Sequence, residues 1–221
     1  MSALDKSNGK LKVAIIEGFH PFDIPQWNEL WHAMSDEFDC YLQHIDNWAV
    51  DCAQCRGDYD VHLFYNMNMK LEESPFKDVL EASLKTLGET GQGVFLLHHS
   101  ILAYPENAEW SKMAGIADRS FGYHPDQDFT MEVANDNHPI STGLSACAMH
   151  DETYTMQEPG ANCDVLFTVD HDPSMTALGW TLEYKKSRVV CFQPGHDHLA
   201  YENPAFREVV RRGIRWAARK S

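Results

Sequence analysis

The chain has 221 residues, 43% of them apolar, which is enough for one substantial core. Its 18 Lys and Arg against 33 Asp and Glu leave a formal charge of −15, which repels phosphate backbones and anionic lipid, so nucleic acid and membranes are poor partners. Met1 to Lys12 is polar and no apolar run is long enough to span a bilayer, and the six cysteines then read as reduced thiols, so a cytoplasmic protein is expected.

Residues 1–10 read as a flexible N-terminal tail and residues 11–219 as a single domain. Leu11 to Glu17 (LKVAIIE) is a β-branched apolar run of the kind buried on both faces of a parallel sheet. After Phe19-His20-Pro21, the segment Pro25 to Asp36 spaces Trp27, Leu30, Trp31 and Met34 along one helical face. Asp39 to Gln43 and Tyr59 to Tyr65 repeat the short-strand signal. Ser74-Pro75 opens a helix whose buried stripe is Phe76, Val79, Leu80, Leu84 and Leu87. Gly88 and Gly91 end it, and Gly93 to Leu97 is a central strand running into His98-His99-Ser100. Strands alternating with helices imply a doubly wound α/β sheet.

From Phe129 onward the texture turns to short strands, at 129–133, 164–169, 176–183 and 188–193. A helix begins at Asn203-Pro204, with Phe206, Val209, Val210 and Ile214 on its apolar side. The fold class expected is a mostly parallel three-layer α/β/α sheet with a β-rich C-terminal part. Its free sheet edge leaves room for a homo-oligomer.

In open α/β sheets ligands bind beyond the carboxyl ends of the strands. That rule gathers His20, Asn66, Asn68, His98, His99 and His196 on one rim. Imidazoles there can exchange protons near neutral pH, ligate a metal or bond to sugar hydroxyls, and the spacing does not choose among these. Asp151-Glu152-Thr153-Tyr154 sits in a β-type segment whose alternation sends Glu152 and Tyr154 to one face and Asp151 to the other. Tyr104 and Trp180 are candidates to stack on a sugar ring, whereas Trp27, Trp31 and Trp216 read as core. Cys52 and Cys55 have CxxC spacing, but no second pair completes a zinc site and no strand leading into a helix is evident there, so the pair reads as structural. No GxGxxG or GxxxxGK[ST] occurs, so no nucleotide cofactor is expected.

Several landmarks, in this order, resemble the ThuA-like (trehalose utilisation) family. They are Gly93 to His98, Phe121 to His124, His138-Pro139-Ile140 with Gly143-Leu144, Asp151 to Tyr154, Gly179-Trp180, Pro194-Gly195-His196, Tyr201 to Pro204 and Gly213 to Trp216. The resemblance spans Val13 to Ala217 and implies a flavodoxin-like fold similar to class I glutamine amidotransferases, in which a catalytic cysteine occupies a sharp strand-to-helix elbow. Here the elbow after Leu97 carries His98-His99-Ser100 and no cysteine. With Ser100 as the nucleophile candidate, Leu102 would stand where the elbow needs glycine, so glutaminase activity is not expected.

What the resemblance implies instead is carbohydrate catabolism, alongside sugar oxidoreductases that make 3-keto sugars and are candidate partners. His98, Glu152 and His196 are then the expected catalytic groups on a sugar derivative. His20, His99, Tyr104, His124, Asp151, Tyr154 and Trp180 are the expected substrate contacts. A divalent metal such as zinc on His98, His124, Glu152 and His196 serves the same chemistry. The alternative is a non-catalytic module binding a sugar or a partner protein on the same scaffold.

Overall fold

A computed structural model describes residues 9–220, excepting the side chains of Cys52 and Ala53; residues 1–8 of the expected tail lie outside the described residues. Five parallel strands form one half of the sheet: β1 (Leu11–Gly18), β2 (Phe38–His44), β3 (Val61–Asn66), β4 (Gly93–Leu97) and β9 (Ser187–Phe192). The antiparallel strands β5 (Gly122–Val133), β6 (Cys147–Thr155), β7 (Asp164–Thr168) and β8 (Ala177–Tyr184) extend it, in the order β2-β1-β3-β4-β9-β8-β7-β5-β6. This is the expected α/β class with its β-rich C-terminal part.

Strand alternation divides the core into two layers. Val13 and Ile15 pack with Trp27, Leu30 and Trp31 of α1 (Ile24–His32) and with Phe206, Val209, Val210 and Ile214 of α6 (Pro204–Ala217). Ala14 and Ile16 pack on the opposite face with α2 (Ile45–Cys55), α3 (Lys77–Thr86) and α4 (Ala108–Ala114). Gly213 lets α6 lie close on β4, since a Cβ there would meet Phe95 at 2.7 Å. Among the described residues no helix is long and apolar enough to cross a membrane.

Three local expectations change. α2 and α4 lack a strong apolar stripe in the sequence and were not foreseen; Trp48 and Trp110 anchor them. β2 does lead directly into α2, so Cys55 ends a helix that follows a strand; it lies at the helix C-terminus, away from the N-terminal field that activates thiols. β5 starts at Gly122 and not at 129, because Pro125 and the left-handed Asp126 (φ 55°) interrupt the alternation while a bulge carries the pairing past them.

Candidate functional site

The parallel strands end on one rim, where the segments after β1, β4 and β9 bring His20, His98, His99 and His196 together. β4 ends at Leu97, and the next residue, His98, has φ 53°, a left-handed backbone that non-glycine residues seldom adopt. The elbow residue is therefore His98; Ser100 is buried in the short 3₁₀ turn that follows, where its carbonyl accepts from Trp110 Nε1 at 2.9 Å. The strained turn aims the imidazole back across the end of β9. His98 Nδ1 donates to the Gln193 carbonyl at 2.7 Å, which leaves the lone pair on Nε2.

That nitrogen faces the other members of a cluster. His98 Nε2 lies 3.3 Å from His196 Nδ1 and 3.9 Å from Glu152 Oε1, and Glu152 Oε2 is 3.8 Å from His196 Nδ1. The three ligating atoms fall within 4.8 Å of one another. A tetrahedral ion with bonds of about 2.1 Å separates its ligands by about 3.4 Å, so the set is spaced for coordination, while the His98–His196 pair is also within hydrogen-bond reach. Burial holds His98 well below the usual imidazole range, hence neutral, and pushes the Glu152 carboxyl up, while the nearby His196 pulls it down. The Tyr154 hydroxyl lies 3.0 Å from His98 Nε2 and also bonds Glu152, as the alternation along β6 anticipates.

Around this trio the histidines continue. His20, on the loop after β1, stacks on His99 with ring centroids 4.2 Å apart and presents an edge to His196 at 5.7 Å. His99 is buried and donates to the Tyr65 carbonyl. Burial lowers both imidazoles, so they are neutral at pH 7. His124 stands at the margin on β5, 3.4 Å from Thr155 Oγ1 and outside the ligand trio, though near enough for its charge to favour ionised Glu152.

Three expected contacts lie elsewhere. Trp180 is a core residue whose indole donates to the Ala114 carbonyl at 2.8 Å; strand alternation sends it into the layer with α4, away from the rim. Tyr104 is buried in the same layer, its hydroxyl accepting from Asn66 Nδ2 at 3.4 Å. Asp151 is fully enclosed and turned to the other face of β6. Its carboxylate accepts from the backbone N–H groups of Glu152, Gly195 and His196, at 2.7, 2.7 and 3.0 Å.

Two supports were not read from the sequence. Tyr65 and Tyr201 bond each other at 2.6 Å beneath the Gly195-His196 turn, and nothing in their spacing signals a pair 136 residues apart. Arg119, 1% exposed, donates to the Ile101, Ala103 and Tyr104 carbonyls and to Ser111, fixing the chain that leaves the elbow. A lone arginine in a loop gives no sequence cue to such a role.

The sequence model of the ThuA family, described as trehalose utilisation, matches residues 46–217. No curated protein matches the chain. Among solved structures it is similar to a ThuA-like protein from Parabacteroides merdae, with a TM-score of 0.77 at 17% identity over 95% of this chain and 90% of that one. It is also similar to a glutamine amidotransferase from Thermotoga maritima, with a TM-score of 0.55 at 10% identity over 94% and 98% of the two chains. A β-galactosidase from Bacillus circulans matches with a TM-score of 0.62 at 9% identity over 93% of this chain but 31% of that one. At these identities the likeness is one of fold, and it bears out the amidotransferase-like architecture.

Proposed function

The chain belongs to the ThuA family, which sets it in carbohydrate utilisation, and from that footing we propose that it handles a sugar-derived carbonyl compound at the His98, Glu152 and His196 cluster. In this reading the cluster holds a divalent metal such as zinc. The observation that carries it is the convergence of His98 Nε2, His196 Nδ1 and a Glu152 oxygen at coordination spacing, with the second nitrogen of His98 engaged by a backbone carbonyl. A carbonyl partner of that kind orients a ligating imidazole and keeps its free nitrogen unprotonated. Two histidines and a glutamate are also a donor set that suits zinc and leaves a coordination position for a substrate oxygen.

Bound there, a metal would polarise a sugar carbonyl. The chain's own residues supply the rest. His20 and His124 are the imidazoles beside the cluster that are not needed as ligands, and either can take or return the proton next to that carbonyl. Tyr154 donates to Glu152 and so orients that carboxylate. The same hydroxyl favours a second reading, in which His98, Tyr154 and Glu152 form a proton-transfer set without a metal.

The test uses 3-keto-trehalose and simpler 3-keto-glucosides, followed by proton NMR in deuterated buffer. The reading predicts deuterium exchange beside the carbonyl or conversion of the sugar, with Glu152→Gln losing turnover while the sugar still raises the melting temperature. Sugars that stabilise the wild type without any exchange or conversion would make this a binding module and overturn the catalytic reading.

A further inference from the structure

We propose that Asp151 is a positioning residue: its carboxylate locks the Gly195-His196 turn against β6 and so sets where His196 meets Glu152. The inference rests on the reading of the His98, Glu152 and His196 cluster as the working site. A carboxylate offers about four lone-pair positions. On Asp151 three of these already accept backbone N–H groups, and the side chain is 3% exposed, so little of it remains for a ligand.

The turn is held from both sides. Asp151 takes the N–H groups of Gly195 and His196. Tyr65 donates to the Gly195 carbonyl at 2.7 Å, and Tyr201 reaches the His196 carbonyl at 3.2 Å. Four backbone groups in two consecutive residues are thus matched by buried side chains from β3, β6 and the short helix α5 (His198–Glu202). Gly195 has φ 136°, open only to glycine, and a Cβ there would stand 3.2 Å from the His98 Cβ. The turn therefore has one seat, directly beside the elbow.

Placement along β6 gives the lock its purpose. Asp151 and Glu152 are consecutive, so one strand presents Glu152 to the cluster with one face and secures the His196 turn with the other. The 3.8 Å spacing of Glu152 and His196 is thus tied directly to β6 through the neighbouring Asp151. Asp151→Asn keeps the shape but replaces one acceptor oxygen with an NH₂ that points its hydrogens at an N–H donor.

The experiment compares the full-length wild type with Asp151→Asn by amide hydrogen exchange and by zinc affinity in chelator competition. The expected result is exchange at the Gly195 and His196 amides faster by about tenfold or more, with β4 amides such as Leu96 unchanged. Zinc affinity is expected to fall about 10- to 100-fold, as for loss of other groups that orient ligands. Should Asp151→Asn fail to fold, Tyr65→Phe removes the hydroxyl that bonds the Gly195 carbonyl and Tyr201, and is expected to shift both readouts in the same direction. Unchanged exchange at residues 195 and 196 in a folded variant would overturn the lock, and weakened zinc without altered exchange would make Asp151 a ligand instead. If the wild type binds no zinc, the metal reading fails while the exchange measurement still decides the role of Asp151.

Discussion

His62 offers a quantitative test of how this core is built. It lies on β3 at 0% exposure, and Trp48 Nε1 donates to its Nδ1 at 3.1 Å, which fixes the ring proton on Nε2. Adding a second proton would set two N–H groups against each other in a fully buried site. Burial, aided by the Arg56 charge, accordingly lowers this histidine from 6.5 to about 3. The unfolded chain takes up the proton near pH 6.5 and the folded chain near 3, so the unfolded state binds more protons throughout that window. The stabilisation is therefore complete above pH 6.5 and is lost as pH falls toward 3, at about 1.4 kcal/mol per pH unit. By pH 5 the loss is about 2 kcal/mol, a large fraction of a typical folding free energy. His62→Asn puts an amide oxygen near the position of Nδ1 and cannot titrate. Urea unfolding of both proteins at pH 7.5, 6 and 5 isolates the one proton: the advantage of the wild type over the variant should shrink by about 2 kcal/mol between the first and last pH. A difference that stays flat across this range would mean that His62 takes up its proton alike in the folded and unfolded chain.

Gly195→Ala should cost about 1–3 kcal/mol for the forced left-handed backbone and should displace His98, seen as a lower melting temperature together with loss of bound zinc. Trp180→Phe should destabilise by about 2–4 kcal/mol, because it opens space and strands the Ala114 carbonyl, while leaving sugar-induced stabilisation intact; weakened sugar binding would return Trp180 to the site. Arg119→Met should cost about 3 kcal/mol in urea unfolding, since it leaves three carbonyls without that donor.

Much of the parallel half of the sheet was legible because strands buried on both faces are continuous apolar runs, as in β1, β3 and β4. The strand-end rule then gathered His20, His98, His99 and His196 correctly, since topology alone decides which residues share a rim. Glu152 and Tyr154 followed from alternation along β6. What periodicity could not show was depth. Trp180 lies in the middle of β8 and Tyr104 in the bend after the elbow, and both pack inward against α4. Asp151 looked like a pocket carboxylate because the sequence does not reveal that its partners are main-chain amides more than forty residues away. Which residue of the elbow is strained was not legible for a related reason: a left-handed non-glycine residue leaves no compositional mark, and only the backbone angle at His98 identifies it.

Elemental analysis of untagged protein asks whether His98, Glu152 and His196 form a divalent-metal centre. A metal centre there gives close to one divalent ion per chain in the wild type and its loss in His98→Ala, His196→Ala and Glu152→Gln, each still folded by circular dichroism. Wild-type protein free of metal even after incubation with zinc, or variants that keep their ion, would contradict it.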